Sequence, residues 1–250
     1  IRERLLLPLS IVMNNSIIVW CGDSWTKGAE LPRHQKKSHS FAGLISQQLG
    51  MRHVNFARPG SSIGHLVYDV KKIIEIKKRT QLPVYAMLGL TIYSRLCLED
   101  ENGKKQTVGP NTYDTNSYVE WAHNILTESF LLKQSCLSLG WVGKQLESVG
   151  IPYAYYNILS SFYDFEKSEF STYLNKEQWL VDPYWNTYGH LFDLPKFDIN
   201  KMSILQKTGF GQQRIADLFM PKMHPNKAGH KVLADAMLPD IKKFIRKQKG

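Results

Sequence analysis

Ile17-Ile18-Val19-Trp20-Cys21-Gly22-Asp23-Ser24-Trp25-Thr26 joins a run of apolar residues to a short polar turn. The β-branched residues at its start predict a strand over 16–21, because such side chains pack well on a pleated surface. Gly, Asp and Ser are ordinary turn residues after a strand. Ser24 is therefore expected to lie where the first strand ends.

Short β-rich runs alternate with amphipathic helical runs along the rest of the chain. The predicted strands lie near 16–21, 52–56, 83–88 and 152–158, and the predicted helices near 38–49, 64–79, 117–148 (broken at Gly140) and 226–246. This alternation is typical of a parallel sheet that is covered by helices on both faces. The pattern predicts an α/β fold with a flavodoxin-like, doubly wound sheet, whose ligand crevice lies outside the carboxyl ends of the strands.

A histidine near the C-terminal end has the side chain that could take the proton of the serine hydroxyl. His224 opens the segment His224-Pro225-Asn226-Lys227-Ala228-Gly229-His230. An unassisted serine hydroxyl is a poor nucleophile, and a neighbouring imidazole has to take its proton as attack begins. Ser24 and His224 are thus the candidate nucleophile and base. Their alternative roles are a turn serine that caps a local N–H group and a histidine that caps the final helix.

Two further segments end predicted strands in the same way. Val54-Asn55-Phe56-Ala57-Arg58-Pro59-Gly60-Ser61-Ser62 runs from a strand into a glycine-containing loop, and Met87-Leu88-Gly89-Leu90-Thr91 ends the next apolar run. Because Ser24, Gly60 and Thr91 all follow strands of one parallel sheet, both loops are expected to lie beside Ser24.

Taken in order, these four segments resemble the blocks of the SGNH (GDSL-type) hydrolase family, over about residues 16–245. The resemblance implies that Ser24 is the nucleophile and His224 the base. It also implies an oxyanion hole made by the N–H groups of Ser24 and Gly60 and by the residue at position 91. Within the family the chain looks most like SGNH-type proteins of tailed bacteriophages, because its third block continues as Gly89-Leu90-Thr91-Ile92-Tyr93-Ser94-Arg95.

Two positions depart from the family pattern. Thr91 stands in place of the family's asparagine, and its hydroxyl could donate one hydrogen bond to the oxyanion on a shorter arm. Pro221 stands where the family's acid precedes the histidine by three residues, and Asp217 is the nearest upstream carboxylate. Asp217 is the candidate acid. The alternative is a Ser-His dyad in which a main-chain carbonyl fixes the imidazole tautomer.

Three further residues are candidates for contact with the substrate: Asp23, Trp25 and Arg95. Asp23 is also expected to hold the turn by side-chain hydrogen bonds. For Arg95, the alternative to an anionic substrate group is a salt bridge to a loop carboxylate.

Composition limits the function further. The net charge of +10 suits phosphate or anionic glycan surfaces, but the basic clusters lie on predicted helices whose other face is apolar, which favours a solvated helix face. Nucleic acid is therefore an unlikely partner. The three cysteines are widely separated and the histidines lack metal-ligand spacing, so we predict no metal and no cofactor. The apolar run in the first 12 residues is too short to span a membrane.

One domain is the default for 250 residues. We expect 1–12, before Met13, to be a non-native or flexible extension, and 13–250 to form one domain with an aromatic-rich insertion at about 159–215. The aromatic residues of the insertion are expected to form a satellite core, and the alternative is that they stack on sugar rings. The predicted substrate is an acyl ester, with an O-acetylated glycan preferred because aromatic residues suit sugar faces and because the phage resemblance implies contact with decorated bacterial surfaces. The alternative is a weak or inactive virion protein that binds other virion proteins. The sequence alone does not give the location; a phage origin would place the protein in the virion or in the host cytoplasm.

Overall fold

The computed structural model describes residues 15–91, 95–99, 101–108, 127–157, 165–166, 168–180 and 224–249. The strands within these residues are β1 (Ile17–Cys21), β2 (Arg52–Asn55), β3 (Val84–Leu90), β4 (Leu96–Glu99), β5 (Lys105–Val108) and β6 (Tyr153–Asn157). The α-helices are α1 (Ser24–Lys27), α2 (Lys36–His39), α3 (Phe41–Gln48), α4 (His65–Thr80), α5 (Glu128–Ser148) and α6 (Lys227–Lys247). Two 3₁₀ helices cover Glu169–Tyr173 and Lys176–Gln178.

Four parallel strands form the main sheet in the order β2-β1-β3-β6. The chain moves outward from β1 to β2 and then crosses back over β1 to β3, so the direction of travel reverses at the centre of the sheet. Both crossover connections have the same handedness, but they run in opposite directions across the sheet. Their helices therefore lie on opposite faces of the sheet. The predicted doubly wound parallel sheet is confirmed, and its switch point lies between β1 and β3.

The side-chain alternation of β1 divides the core into two layers. Ile18 and Trp20 pack with α3 and α6, whereas Ile17, Val19 and Cys21 pack with α4 and α5. All five residues are buried, as expected for a central strand that is covered on both faces. The apolar run that predicted the strand is therefore also the centre of the core.

Most predicted elements of the sheet and its helices are confirmed to within about two residues, the usual uncertainty of element ends. The basic residues of α4 also behave as predicted. Lys71 and Lys72 are exposed, while Leu66, Val70 and Ile73 on the same helix are buried.

The segment after the third block is polar and rich in turn-forming residues. Its described part is an antiparallel hairpin in which β4 pairs with β5, from Leu96 opposite Val108 to Glu99 opposite Lys105. Gly103 has a φ of 75° in the connecting turn, a conformation that glycine adopts readily. Polar turn residues therefore connect two short strands here.

The predicted break at Gly140 is wrong, because α5 continues through it. A Cβ atom at position 140 would lie 2.9 Å from the Cβ of Tyr173, so glycine is needed for the close approach of the 3₁₀ segment. Helix α5 begins at Glu128, where the Thr127 side chain accepts a hydrogen bond from the Phe130 N–H. Residues 109–126, which include the predicted start at 117, lie outside the described residues.

Part of the aromatic-rich insertion packs as core. Phe165 is fully buried, and the Trp179 ring lies 4.7 Å from the Tyr155 ring, centroid to centroid, beside the edge strand β6. The rest of 159–215 and the predicted extension at 1–12 lie outside the described residues. No helix among the residues that the structure describes combines the length and apolarity that a membrane crossing requires.

Candidate active site

Ser24 is the first residue of α1, directly beyond the carboxyl end of β1. The chain leaves the strand through Gly22, whose φ of 151° is open mainly to glycine. Asp23 then caps the short helix, as predicted, since its Oδ1 accepts a hydrogen bond of 2.9 Å from the Trp25 N–H. Of residues 16–26, Ser24 is the one that is not buried. The turn thus makes a serine accessible to solvent within a segment that is otherwise buried.

Asp23 and Trp25 support this turn from inside. They are 0% and 3% exposed, so the substrate contacts predicted for them would require surface that they lack in this structure. Burial raises the pKa of Asp23, and the Trp25 N–H bond, the charge of Arg95 and then that of His224 oppose the rise. Arg95 and His224 are therefore both within electrostatic range of the carboxyl group next to Ser24.

Hydrogen bonds tie the second block to the first, as the parallel strands predicted. The Asn55 amide donates to the Thr26 carbonyl at 2.9 Å, and the Arg58 N–H donates to the Gly22 carbonyl at 3.2 Å. Gly60, in the same loop, is exposed and has a φ of 68°. Among the described residues other than its chain neighbours, no atom would lie within 4 Å of a Cβ at this position, so it is the backbone conformation that favours glycine here. The oxyanion role of Gly60 stays a prediction.

Thr91 connects the third block to the second. Its buried hydroxyl donates to the Ser61 carbonyl at 2.9 Å and accepts a bond of 3.3 Å from Arg95 Nη1. A hydroxyl carries one hydrogen, so Thr91 would have to release Ser61 before it could donate to an oxyanion. The predicted donor is thus already engaged in a structural bond, and the Arg95 guanidinium lies at the same end of β3.

Thr91→Val is therefore expected to affect stability more than catalysis. The substitution keeps the shape but leaves the carbonyl of the buried residue Ser61 without this donor, which costs about 1–3 kcal/mol of unfolding free energy. The turnover number on a short acyl ester should fall by less than about tenfold. Urea unfolding and steady-state kinetics measure the two effects. A loss of roughly 100-fold in turnover at unchanged stability would instead identify Thr91 as an oxyanion donor.

His224 precedes α6 and contacts a carboxylate that the sequence argument did not identify. Its ring Nδ1 lies 2.7 Å from Glu30 Oε2, and its main-chain N–H donates to the same oxygen at 3.3 Å. The helix cap is Asn226, whose side chain accepts from the Gly229 N–H at 3.0 Å. The alternative in which His224 merely caps the final helix is thus wrong.

His230 is the buried neighbour of His224. The Phe41 N–H donates to His230 Nδ1 at 3.3 Å, and the side chain is fully buried. Burial, followed by the charge of His224, lowers the pKa of His230 to about 3. The ring is therefore neutral at ordinary pH, and His230 acts as a core residue.

This lowered pKa predicts sensitivity to acid. The folded value of about 3 lies below the ordinary value of 6.5, so the contribution of His230 to stability is complete above about pH 6.5 and is lost as the pH falls towards 3. His230→Asn keeps an acceptor for the Phe41 N–H. In urea unfolding between pH 7 and 4, we expect its unfolding free energy to fall less steeply than that of the parent, by up to ~1.4 kcal/mol per pH unit. Parallel curves would contradict the assignment.

The sequence matches no known family model and no curated protein. Similar solved structures include a lipolytic G-D-S-L family protein from Veillonella parvula, at 13% identity over 90% of this chain and 97% of that chain, with a TM-score of 0.42. The esterase EstA from a Pseudoalteromonas species is 14% identical over 93% and 99% of the two chains (TM-score 0.44). The acetyl xylan esterase AlAXEase is 12% identical over 89% and 98% (TM-score 0.45). The fold assignment rests on this chain's own strand order and register.

The structure brings the first three blocks together at the carboxyl ends of β1, β2 and β3, and it places His224 beside the turn that follows α1. Asp217, the predicted acid, and Pro221 lie outside the described residues. Within the described ranges, no group of three or more His, Cys, Asp or Glu side chains is arranged to hold a metal ion.

Proposed function

We propose that the chain is a serine ester hydrolase in which Ser24 is the nucleophile and His224 the base. The observation that carries the proposal is the exposure of Ser24 alone in the buried segment 16–26, at the switch point of a parallel sheet. Ligands of doubly wound sheets bind at such points. His224 Nδ1 lies 2.7 Å from Glu30 Oε2, and the preceding Ala29 N–H donates to the Ser24 carbonyl at 2.9 Å, which supports a working pair of serine and imidazole.

The reaction begins when Ser24 Oγ attacks the ester carbonyl carbon and its proton passes to His224 Nε2. The tetrahedral intermediate collapses, and the imidazolium returns the proton to the departing alcohol oxygen, which leaves Ser24 acylated. A water molecule then attacks the acyl group, with His224 again taking the proton. The acid is released, and the proton returns to Ser24.

The oxyanion is assigned to the main-chain N–H groups of Ser24 and Gly60. The Thr91 hydroxyl is bonded to Ser61, so the side-chain donor of the third block falls to Arg95, whose Nη1 lies 3.3 Å from Thr91 Oγ1. A guanidinium group presents several N–H donors and a full positive charge, which suits either an oxyanion or an anionic substrate group. We propose this role for Arg95 rather than a salt bridge to a loop carboxylate.

An O-acetylated glycan remains the proposed substrate. Its support is the aromatic content of 159–215. Phe165 and Trp179 do not contribute to this support, because they are buried in the core. Among the described aromatic residues of the insertion, Tyr173 is exposed; Tyr184, Trp185, Tyr188 and Phe192 lie outside the described residues.

Hydrolysis of 4-nitrophenyl acetate and of an acetylated xylan oligosaccharide tests the proposal. Saturable turnover of either ester would support it. The competing function is a virion structural or attachment protein that keeps the fold without turnover, and it is favoured by the engagement of the Thr91 hydroxyl with Ser61. Absence of turnover on both esters would favour that function. Salt-sensitive retardation of DNA or RNA, without ester hydrolysis, would instead indicate a nucleic-acid-associated protein.

A further inference from the structure

Glu30 binds the candidate base, His224, through two hydrogen bonds to one of its carboxylate oxygens. Glu30 Oε2 accepts a hydrogen bond from the ring Nδ1 of His224, at 2.7 Å, and another from the main-chain N–H of the same residue, at 3.3 Å. The two side chains are 17% and 22% exposed, so the contact is mostly shielded from water. A double anchor of this kind fixes the imidazole as well as the chain that carries it.

The contact also sets the tautomer of the imidazole. An ionised carboxylate only accepts hydrogen bonds, so the Nδ1 atom that faces Glu30 must carry the hydrogen. In the neutral ring this leaves Nε2 with a free lone pair. A general base needs that lone pair to take a proton from the nucleophile.

Glu30 is itself held by the turn that carries Ser24. The Ala29 N–H donates to the Ser24 carbonyl at 2.9 Å, and Gly28, with a φ of 66°, ends α1. The next residue, Leu31, is buried and donates its N–H to the Gly28 carbonyl at 3.1 Å. Glu30 therefore stands between two anchored residues, at a fixed position relative to the nucleophile.

We infer that Glu30 is the positioning residue of the proposed esterase: its carboxylate holds His224 in the reactive tautomer and stabilises the imidazolium that forms when Ser24 attacks. This inference rests on the proposed function. It replaces both earlier candidates, Asp217 and a main-chain carbonyl, with a carboxylate that precedes the histidine by 194 residues and lies on the nucleophile's own turn. Unlike a carbonyl, the carboxylate carries a full charge to offset that of the imidazolium.

Glu30→Gln tests the assignment because it keeps the shape and removes the charge. The turnover number on 4-nitrophenyl acetate is expected to fall by roughly 10²- to 10⁴-fold, with the KM within about threefold of the parental value. Glu75→Gln is the matched control, since Glu75 pairs with Arg79 on the exposed face of α4, and its turnover should be parental. A turnover of Glu30→Gln within about threefold of the parent would overturn the inference.

Chemical rescue separates positioning from a structural effect. Glu30→Ala opens space at the Nδ1 side of His224, and added formate is expected to restore part of its turnover, whereas formate should not help Ser24→Ala. If formate restores nothing in Glu30→Ala, the inference fails. A large loss in Asp217→Asn beside parental turnover in Glu30→Gln would also overturn it, and would transfer the role to Asp217 while leaving the esterase assignment intact.

Discussion

Ser24→Ala is expected to abolish hydrolysis of 4-nitrophenyl acetate, with a loss of roughly 10⁴- to 10⁶-fold in turnover. The substitution removes the attacking oxygen of the proposed reaction. Stability should change little, because Ser24 is partly exposed and the cap of α1 comes from Asp23. Steady-state kinetics and the thermal unfolding midpoint measure the two effects.

Ser148→Ala is the matched control for this experiment. It also removes a hydroxyl from a helix, but at the exposed end of α5. Its turnover should equal that of the parent. If Ser24→Ala hydrolysed the ester as fast as Ser148→Ala, Ser24 could not be the nucleophile, and the ester cleavage would arise elsewhere on the chain.

His224→Ala should be nearly as damaging as Ser24→Ala, with a loss of roughly 10⁴- to 10⁶-fold. Without the imidazole, nothing takes the proton from Ser24 as it attacks. The substitution also removes the ring contact with Glu30, but the Asn226 cap of α6 remains. Kinetics on the same ester give the loss, and circular dichroism checks that the helices persist.

The double variant, Ser24→Ala with His224→Ala, distinguishes a shared mechanism from two separate effects. Nucleophile and base act as a unit, so the double loss should be hardly greater than either single loss. Losses that add in free energy would show that the two residues act independently, which is incompatible with the proposed proton transfer.

The sheet was predictable because its strands have a strong physical signature. A central strand that is buried on both faces has to be apolar throughout, and Ile17–Cys21 satisfies that requirement in a chain with otherwise mixed composition. The three blocks that follow β1, β2 and β3 then meet because parallel strands share one carboxyl edge. Local sequence therefore sufficed to place Ser24 beside the loop of Gly60 and the end of β3.

Other features depend on contacts that no local pattern records. Gly140 resembles a helix breaker, yet the approach of Tyr173 explains it within a continuous helix. The hairpin of β4 and β5 has strands of four residues each, too short for a clear alternation beside the polar turn. The free hydroxyl expected of Thr91 is bonded to Ser61, 30 residues away.

Glu30 is the site residue that the sequence argument missed. Its contact joins positions 194 residues apart, whereas the family pattern places the acid just before the histidine. One signal was available: Glu30 is the sole acidic residue within 24–68, a segment that otherwise carries basic and neutral side chains. An isolated carboxylate shortly after a candidate nucleophile is therefore worth testing against the histidine.

Mass spectrometry after exposure to a fluorophosphonate shows whether Ser24 is the nucleophile, because this reagent reacts with serines that are activated as nucleophiles. We expect a single covalent adduct on the peptide that contains Ser24. Labelling should be strongly reduced in His224→Ala and unchanged in the control Ser148→Ala. An unlabelled Ser24 in the folded parent protein, or an adduct on another serine that persists in His224→Ala, would contradict the assignment of this site as a serine hydrolase.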